Sequence, residues 1–276
     1  MRIGVKPGQW GWSFAELQAS WEAAEELGFD LLSCFDHASA APSGGAAWDA
    51  PTLLAAMAGS TERIGLAVDV VNVALRHPFL LAGQLAVAQA ASGGRLQVGL
   101  GAGSLLARVD HQALGIPFPR FQERMDRLEI CCRILPALWR GEQVTEPSLG
   151  LDGASLGPIG IEPPPLVIGG SSDRAIEIAA RYADGWNCVI GRDDLAGIGR
   201  RLDELAGRHV RRIAQVFLRD VGFDGASEAA RRAAQDGAES LIFVLVEERG
   251  AVAVRRLADA VLPRGTGVET KNRRPS

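Results

Sequence analysis

An aspartate and a histidine stand next to each other in the segment CFDHASA, at positions 36 and 37. A histidine exchanges protons near neutral pH, and an acid beside it supports acid–base chemistry. The pair Asp36-His37 therefore predicts acid–base catalysis, with His37 as the group that carries the proton. A structural pair, in which each side chain caps a loop or a turn, is the alternative at this spacing.

The second candidate site is the segment VIGGSSDR, where Gly169, Gly170 and Ser171 follow an apolar run and precede a helical pattern. Glycines let a backbone approach a ligand closely, and the first N–H groups of a helix attract anions. The three residues are therefore predicted to cradle a phosphate. A tight turn that needs glycine for its dihedral angles alone is the alternative.

The other glycine-rich segment and the other histidines give weaker signals. The sequence GLGAG around Gly101 is not a complete GxGxxG and lacks the acidic partner expected about twenty residues later, which argues against a Rossmann nucleotide site. His77 starts a helical pattern and is interpreted as structural, whereas His209 stands among charged residues and is interpreted as solvated surface. His111 is placed over the mouth of a pocket, with its role left open.

The composition excludes several classes of protein. The chain has 276 residues and a net charge of −4, without a basic block in its body, which argues against non-specific nucleic-acid binding. No signal peptide and no membrane-spanning apolar stretch is recognisable, so a cytoplasmic protein is expected. The four cysteines at positions 34, 131, 132 and 188 form no CxxC pair, which predicts reduced core cysteines and no metal site.

Strand and helix patterns alternate eight times along the chain. The strands are apolar runs, as expected for parallel strands that are covered on both faces. We therefore predict a single α/β domain over residues 1–262, a (β/α)8 TIM barrel, with a doubly wound open sheet as the alternative. Residues 141–164 form an irregular excursion with a small hairpin, and residues 263–276 a disordered tail. The predicted strands cover residues 2–6, 30–34, 64–73, 95–100, 165–169, 185–190, 214–221 and 241–246.

Both candidate sites fall at the carboxyl ends of predicted strands, where barrels of this kind carry their chemistry. In this context the ordered segments GFDLLSCFDH, TERIGLAV, RHPFLLAGQLAVAQAASGGRLQVGLGAG, ALGIPFPRFQERMDRLEICCRIL and LVIGGS closely resemble the luciferase-like monooxygenase superfamily. Its members are TIM-barrel enzymes that use FMN or the deazaflavin coenzyme F420. The resemblance covers about residues 1 to 250, and the Asp-His pair is typical of the F420 branch.

The resemblance implies a role for individual residues. Asp36 would touch the edge of the deazaflavin ring, and His37 would face its reactive carbon and the substrate. A non-prolyl cis peptide is expected between Ala67 and Val68, where a bulge would bend the cofactor. The remaining cofactor-binding residues implied are Gly101, the phosphate-binding Gly169, Gly170 and Ser171, and the basic Arg192.

The chain departs from the resemblance at two strand ends. Ser104 replaces a glutamate that F420-dependent dehydrogenases carry after strand four, and Gln9-Trp10 replaces a carboxylate after strand one. An apolar substrate pocket is expected instead, although any of its aromatic residues could equally be rim packing. Its candidate residues are Trp10, Trp12, Trp48, His111 and Phe118.

The sequence thus predicts an F420-dependent oxidoreductase that transfers a hydride between the deazaflavin and a small organic substrate. One alternative is a reduced-FMN-dependent monooxygenase of the bacterial luciferase type. The second is a non-catalytic paralogue that binds a flavin or deazaflavin. A homodimer is expected, with no nucleic-acid or membrane partner.

Overall fold

The computed structural model describes residues 1–39 and 47–263, within which the chain forms ten strands and nine α-helices. The strands are β1 (Arg2–Pro7), β2 (Leu31–Cys34), β3 (Gly65–Asn72), β4 (Leu96–Gly101), β5 (Val144–Glu146), β6 (Leu151–Ala154), β7 (Leu166–Gly169), β8 (Gly185–Val189), β9 (Arg211–Phe217) and β10 (Ser240–Leu245). The helices are α1 (Phe14–Leu27), α2 (Ala50–Ser60), α3 (Pro78–Ala91), α4 (Arg108–Ala113), α5 (Phe121–Trp139), α6 (Asp173–Tyr182), α7 (Leu195–Ala206), α8 (Leu218–Gln235) and α9 (Gly250–Val261).

Eight parallel strands close into a barrel in the order β1-β10-β9-β8-β7-β4-β3-β2. Every neighbouring pair is parallel, and β1 closes the ring by pairing with both β10 and β2. The predicted (β/α)8 barrel is confirmed. The predicted excursion is also present, because β5 and β6 form an antiparallel two-stranded sheet outside the barrel.

Local capping residues set several of the helix boundaries. The Ser13 hydroxyl accepts from the Glu16 N–H at 3.2 Å, and the Glu16 carboxylate accepts from the Ser13 N–H at 2.7 Å, which makes a capping box. Gly28 ends α1 with φ +84°, a left-handed conformation that glycine adopts readily. Asp49 caps α2, and Ser172 caps α6 at the end of the barrel that holds the candidate sites.

The seventh barrel strand differs from its predicted bounds of 214–221. It begins at Arg211 and ends at Phe217, and Leu218 already opens α8. The start of the strand was missed because Arg212 is charged and so does not fit an apolar run. Its guanidinium is paired with Asp203 at 2.6 Å and is buried. A kink at Gly222 splits α8, and the helix that the sequence pattern predicts over residues 227–235 corresponds to its second part.

The barrel interior has an apolar part and a polar part. Val167, Ile213 and Ile242 form an apolar cluster that is separate from the main core between strands and helices. Gln215 lies two residues after Ile213 on β9, towards the carboxyl end of the strand. Lys6 lies on β1, two residues after the residue that pairs with Ile242. The interior thus becomes polar just below the end of the barrel where the candidate sites were predicted.

All four cysteines are free and buried, as expected for core residues. Over residues 1–39 and 47–263 no helix has the length and apolar character needed to cross a membrane. The same residues contain no cluster of His, Cys, Asp and Glu suited to a metal ion. The predicted disordered tail lies, apart from Pro263, outside the described residues.

Candidate functional site

A cavity of about 440 Å³ opens at the carboxyl ends of the barrel strands. Both sequence-predicted sites border it, so the structure brings the Asp-His pair and the glycine segment together. The lining residues contributed by the strand ends and their loops include Phe35, Asp36, His37, Asp69, Val70, Asn72, Gly101, Ser104, Gly169, Gly170, Ser171, Asn187, Arg192 and Gln215.

His37 is held by an aspartate that the sequence analysis did not single out. Its Nδ1 lies 2.8 Å from Oδ2 of Asp110, whose side chain is fully buried. Oδ1 of Asp110 accepts from the backbone N–H groups of Ala38 at 3.0 Å and Ser39 at 2.8 Å. Because the carboxylate is surrounded by donors, Nδ1 of His37 carries the hydrogen of this bond, which leaves Nε2 able to exchange a proton.

Aromatic side chains pack around the His37 ring. The centroids of Trp10 and Phe35 lie 4.9 Å and 6.3 Å from that of the imidazole, and 4.6 Å from each other. These rings limit water around His37 while its side chain keeps 29% of its accessible surface. Trp10 is not part of the cavity lining, and its predicted place in the substrate pocket stays a prediction.

The Asp36 carboxylate is fully engaged inside the protein. Arg76 donates to both of its oxygens, at 2.6 and 2.8 Å, and the Asn72 N–H donates at 2.9 Å. Burial acts to lower the pKa of Arg76, but the hydrogen bonds and charge of Asp36 raise it above its usual value. Asp36 therefore borders the cavity and links the end of β2 to the end of β3. Its direct contact with the deazaflavin ring stays a prediction.

The glycine segment joins β7 to the first turn of α6. Gly170 has φ +113°, in the region that side chains rarely adopt, and its carbonyl accepts from Nε1 of Trp186 at 2.8 Å. Ser171 is exposed, and Ser172 caps α6 by accepting from the Ala175 N–H at 3.3 Å. The open N–H groups at this helix start border the cavity, which is the arrangement predicted for a phosphate cradle.

Val70 packs against two glycines of the cavity wall. A Cβ atom on Gly101 would lie 2.4 Å from Cγ2 of Val70, and one on Gly169 would lie 2.7 Å from Cγ1. Both positions are therefore glycine for a packing reason, in addition to any role in binding a ligand.

The predicted cis peptide between Ala67 and Val68 is wrong. The non-prolyl cis bond joins Asp69 and Val70, two residues further along β3. The pairing of β3 with β4 is regular up to Val68 and shifts register between Val68 and Val71. Ala67 and Val68 are fully buried and lie outside the lining of the cavity, whereas Asp69 and Val70 border it.

A buried polar network forms the floor of the cavity. Nζ of Lys6 donates to the Asp69 carbonyl and, at 2.8 Å, to Oε1 of Gln215, whose Nε2 donates to Oδ1 of Asn187 at 2.6 Å. Ser33 donates to Oδ2 of Asp69 at 2.8 Å. Burial lowers the pKa of Lys6 to about 8 against the opposing charge of Asp69, and burial raises the pKa of Asp69.

Three buried polar atoms of this floor have no hydrogen-bond partner within the described part of the chain. They are Oδ1 of Asp69, Nδ2 of Asn72 and Nδ2 of Asn187. A buried polar group without a partner costs roughly 1–3 kcal/mol, so one acceptor and two donors remain available to a polar ligand.

The remaining predicted residues take other places. Trp48 donates to the Trp12 carbonyl at 2.9 Å, packs edge-on against Phe14 and is not part of the cavity lining. His111 is buried in α4, where Nδ1 donates to the Pro117 carbonyl at 2.7 Å, so it is not at the mouth. Arg192 borders the cavity, is exposed and pairs with Asp193 at 3.3 Å.

Comparisons with known proteins concern the family and the fold of the chain. Residues 1–269 match the family described as luciferase-like monooxygenase. An F420-dependent glucose-6-phosphate dehydrogenase of Nakamurella multipartita is 32% identical over 223 residues, which cover 74% of this chain and 65% of that protein. The chain thus spans less than two thirds of the length of this relative.

Solved structures share the fold at lower identity. An F420-dependent secondary alcohol dehydrogenase in complex with an F420-acetone adduct matches with a TM-score of 0.78 at 14% identity, over 94% of this chain and 98% of the other. A monooxygenase from Streptomyces bottropensis matches with a TM-score of 0.70 at 22% identity, over 95% and 99% of the two chains. At these identities the likeness concerns the fold alone.

Proposed function

We propose that this chain, which belongs to the luciferase-like monooxygenase family, is an oxidoreductase that uses coenzyme F420. In this proposal a hydride passes between the deazaflavin and a small organic substrate. The observation that carries the proposal is His37, fixed by Asp110 at 2.8 Å beside a cavity that ends at a helix N-terminus. The name of the Nakamurella multipartita relative supports the choice of coenzyme.

The residues of the cavity fit a deazaflavin in two respects. The pyrimidine ring of the coenzyme presents two carbonyl oxygens and one N–H. The orphaned atoms of the floor are two donors, on Asn72 and Asn187, and one acceptor, on Asp69. At the other end, a Cβ on Gly170 would meet nothing closer than Ala175 at 3.6 Å, so the backbone there is open to a phosphate.

The bound coenzyme would supply a carbon that accepts or gives a hydride. The chain's own part in the reaction is to move the proton. When a substrate alcohol is oxidised, Nε2 of His37 takes the hydroxyl proton as the hydride leaves the neighbouring carbon, and in the reverse direction it returns that proton to the carbonyl oxygen. Asp110 holds the imidazole in the tautomer that makes this exchange possible.

Other residues would bind the coenzyme, shield His37 from water or fix its position. Gly169, Gly170 and Ser171 would hold the phosphate through backbone N–H groups, with Arg192 nearby. Trp10 and Phe35 keep water away from His37. The ion pair of Asp36 with Arg76 fixes the loop ends from which His37 projects.

A second candidate function is the reduced-FMN-dependent monooxygenase. The fold likeness to the Streptomyces bottropensis monooxygenase supports this candidate, because that protein has a similar fold and is a monooxygenase. The non-catalytic paralogue is the third candidate, since Ser104 and Gln9 offer no carboxylate at the cavity; Gln9 instead donates to the Trp48 carbonyl at 2.9 Å.

A titration of the purified protein with both coenzymes, followed by absorbance and fluorescence, tests the proposal. We expect F420 to bind at least about tenfold more tightly than FMN, a difference of about 1.4 kcal/mol. Equal or reversed affinities would favour the monooxygenase, and tight binding of F420 without turnover of any alcohol or carbonyl compound would favour the paralogue.

We further propose that the protein is cytoplasmic and forms a homodimer. Leu80 and Val87 on α3 are 58% and 59% exposed, beside Leu151 and Leu156 of the hairpin segment, which supports an interface there. Sedimentation velocity of the wild type measures the oligomeric state directly.

A further inference from the structure

Two arginines that are chain neighbours of cavity-lining residues lack an acidic partner among residues 1–39 and 47–263. Arg108 and Arg124 both lie against the ring of Phe118, with guanidinium carbons 5.3 and 4.4 Å from its centroid. Arg124 is 6% exposed; Nη1 donates to the Pro119 carbonyl at 2.7 Å, and Nε is buried without a partner. Arg108 is exposed, in the first turn of α4.

The pair differs from other arginines of the chain. Arg76 is matched by Asp36, Arg133 by Glu146, and Arg120, in the same segment, by Glu123 at 2.6 Å. Burial and the charge of Arg108 both lower the pKa of Arg124. Two guanidinium groups on one ring repel each other, and an anion between them would remove this repulsion.

The pair lies next to residues that line the cavity already described, although neither arginine is part of the lining. Ala107 and Met125, the chain neighbours of the two arginines, line it, and so does Phe121, whose ring lies 5.9 Å from the guanidinium carbon of Arg124. Phe121 and Met125 share this lining with the glycine segment at the start of α6. An anionic group that continues from a phosphate bound there can leave the cavity past the first turn of α5.

We propose that Arg108 and Arg124 form a carboxylate-binding site that receives the acidic end of the coenzyme. This inference rests on the proposed function, because F420 carries a chain of glutamates beyond its phosphate, whereas FMN ends at the phosphate. The planar guanidinium forks match carboxylates in geometry, and Phe118 keeps the two forks in place. The site would thus add to the preference for F420 over FMN.

The test compares the dissociation constants of F420 and of a deazaflavin that carries the phosphate but no glutamates. Arg108→Gln should weaken F420 binding about tenfold and leave the shortened coenzyme unaffected. The matched control Arg120→Gln, which removes an exposed charge that already has a partner, should change neither constant. Added salt should weaken F420 more in the wild type than in Arg108→Gln.

Arg124→Lys provides a second variant, because it keeps the buried charge and removes the fork. It should also weaken F420 and spare the shortened coenzyme. The inference is overturned if the wild type binds both forms equally, or if Arg108→Gln weakens both to the same extent. Those outcomes leave the proposed function intact, whereas failure of the wild type to bind either form contradicts the proposed function itself.

Discussion

The hydrogen bond between His37 and Asp110 leads to a specific prediction for the variant Asp110→Asn, namely a change of the His37 tautomer and a loss of kcat. An amide in this place can still accept from Ala38 and Ser39 through Oδ1, at the positions now 3.0 and 2.8 Å away. Its NH₂ group would then face Nδ1 of His37 and donate to it. The imidazole would change to the tautomer with the hydrogen on Nε2, where it can no longer accept a proton from a substrate.

The expected size of the effect follows from the bond that is lost. A hydrogen bond to a buried charged group contributes about 1.5–3 kcal/mol, and Asp110 is fully buried. If this energy is what favours the productive tautomer, kcat should fall by roughly 10- to 150-fold, since 1.36 kcal/mol corresponds to a factor of ten. The dissociation constant of the coenzyme should stay unchanged, because Asp110 does not line the cavity.

The tautomer can be observed without knowledge of the substrate. Nitrogen-15 NMR of the imidazole groups distinguishes Nδ1–H from Nε2–H, and the chain has four histidines, so His37→Ala identifies the signal. We expect Nδ1–H in the wild type and Nε2–H in Asp110→Asn. Asp126→Asn, an exposed change on α5, is the control and should alter neither the spectrum nor kcat.

Two results would refute the reasoning. The first is a wild-type spectrum with the hydrogen on Nε2 of His37. The second is a further loss of kcat when Asp110→Asn is added to His37→Ala, because a residue that acts through His37 has no effect once that imidazole is gone.

Two further predictions concern the cradle and the floor. Gly170→Ala and the control Gly150→Ala both place a side chain on a left-handed glycine (φ +113° and +68°) and should each cost about 1–2 kcal/mol of unfolding free energy. Calorimetric titration should show weaker coenzyme binding in Gly170→Ala than in Gly150→Ala. Equal affinities of the two variants would locate the phosphate elsewhere. Burial lowers the pKa of Lys6 from 10.5 to about 8. Between pH 8 and pH 10.5 the unfolded chain therefore keeps a proton on Lys6 that the folded chain has lost. The unfolding free energy of the wild type should rise by about 3 kcal/mol relative to Lys6→Met over this pH range. Denaturant titrations across this range measure the difference, and a constant difference would contradict the assignment.

Features with local causes could be predicted from the sequence. The sequence pattern predicts helices over residues 173–182 and near 195–206, and α6 and α7 have these bounds because Ser172 and Asp194 cap their first turns. The barrel could be predicted as well, since eight apolar strands alternating with helices have few other ways to bury both faces. His37 and the glycine segment were found because each stands at a strand end.

Features that depend on contacts between distant segments were missed. Asp110 is 73 residues from His37 in the chain and lies in a helix that the sequence pattern presents as a loop. Lys6 stands in a short apolar run, where its hydrogen bonds to residues on two other strands have no local signal. A carboxylate nine residues after the fourth strand, in a barrel whose second strand is followed by an Asp-His pair, is the signal that could have pointed to Asp110.

The packing of Val70 limits how the cavity can be reshaped. Gly101 and Gly169 face its two methyl groups from neighbouring strands, so a side chain at either glycine requires a smaller residue at position 70 first. The two glycines can therefore change only together with position 70, and libraries that vary the three positions independently will contain many overpacked variants. Ser104, which is exposed and lines the cavity outside this unit, is a position where a new substrate contact can be introduced alone.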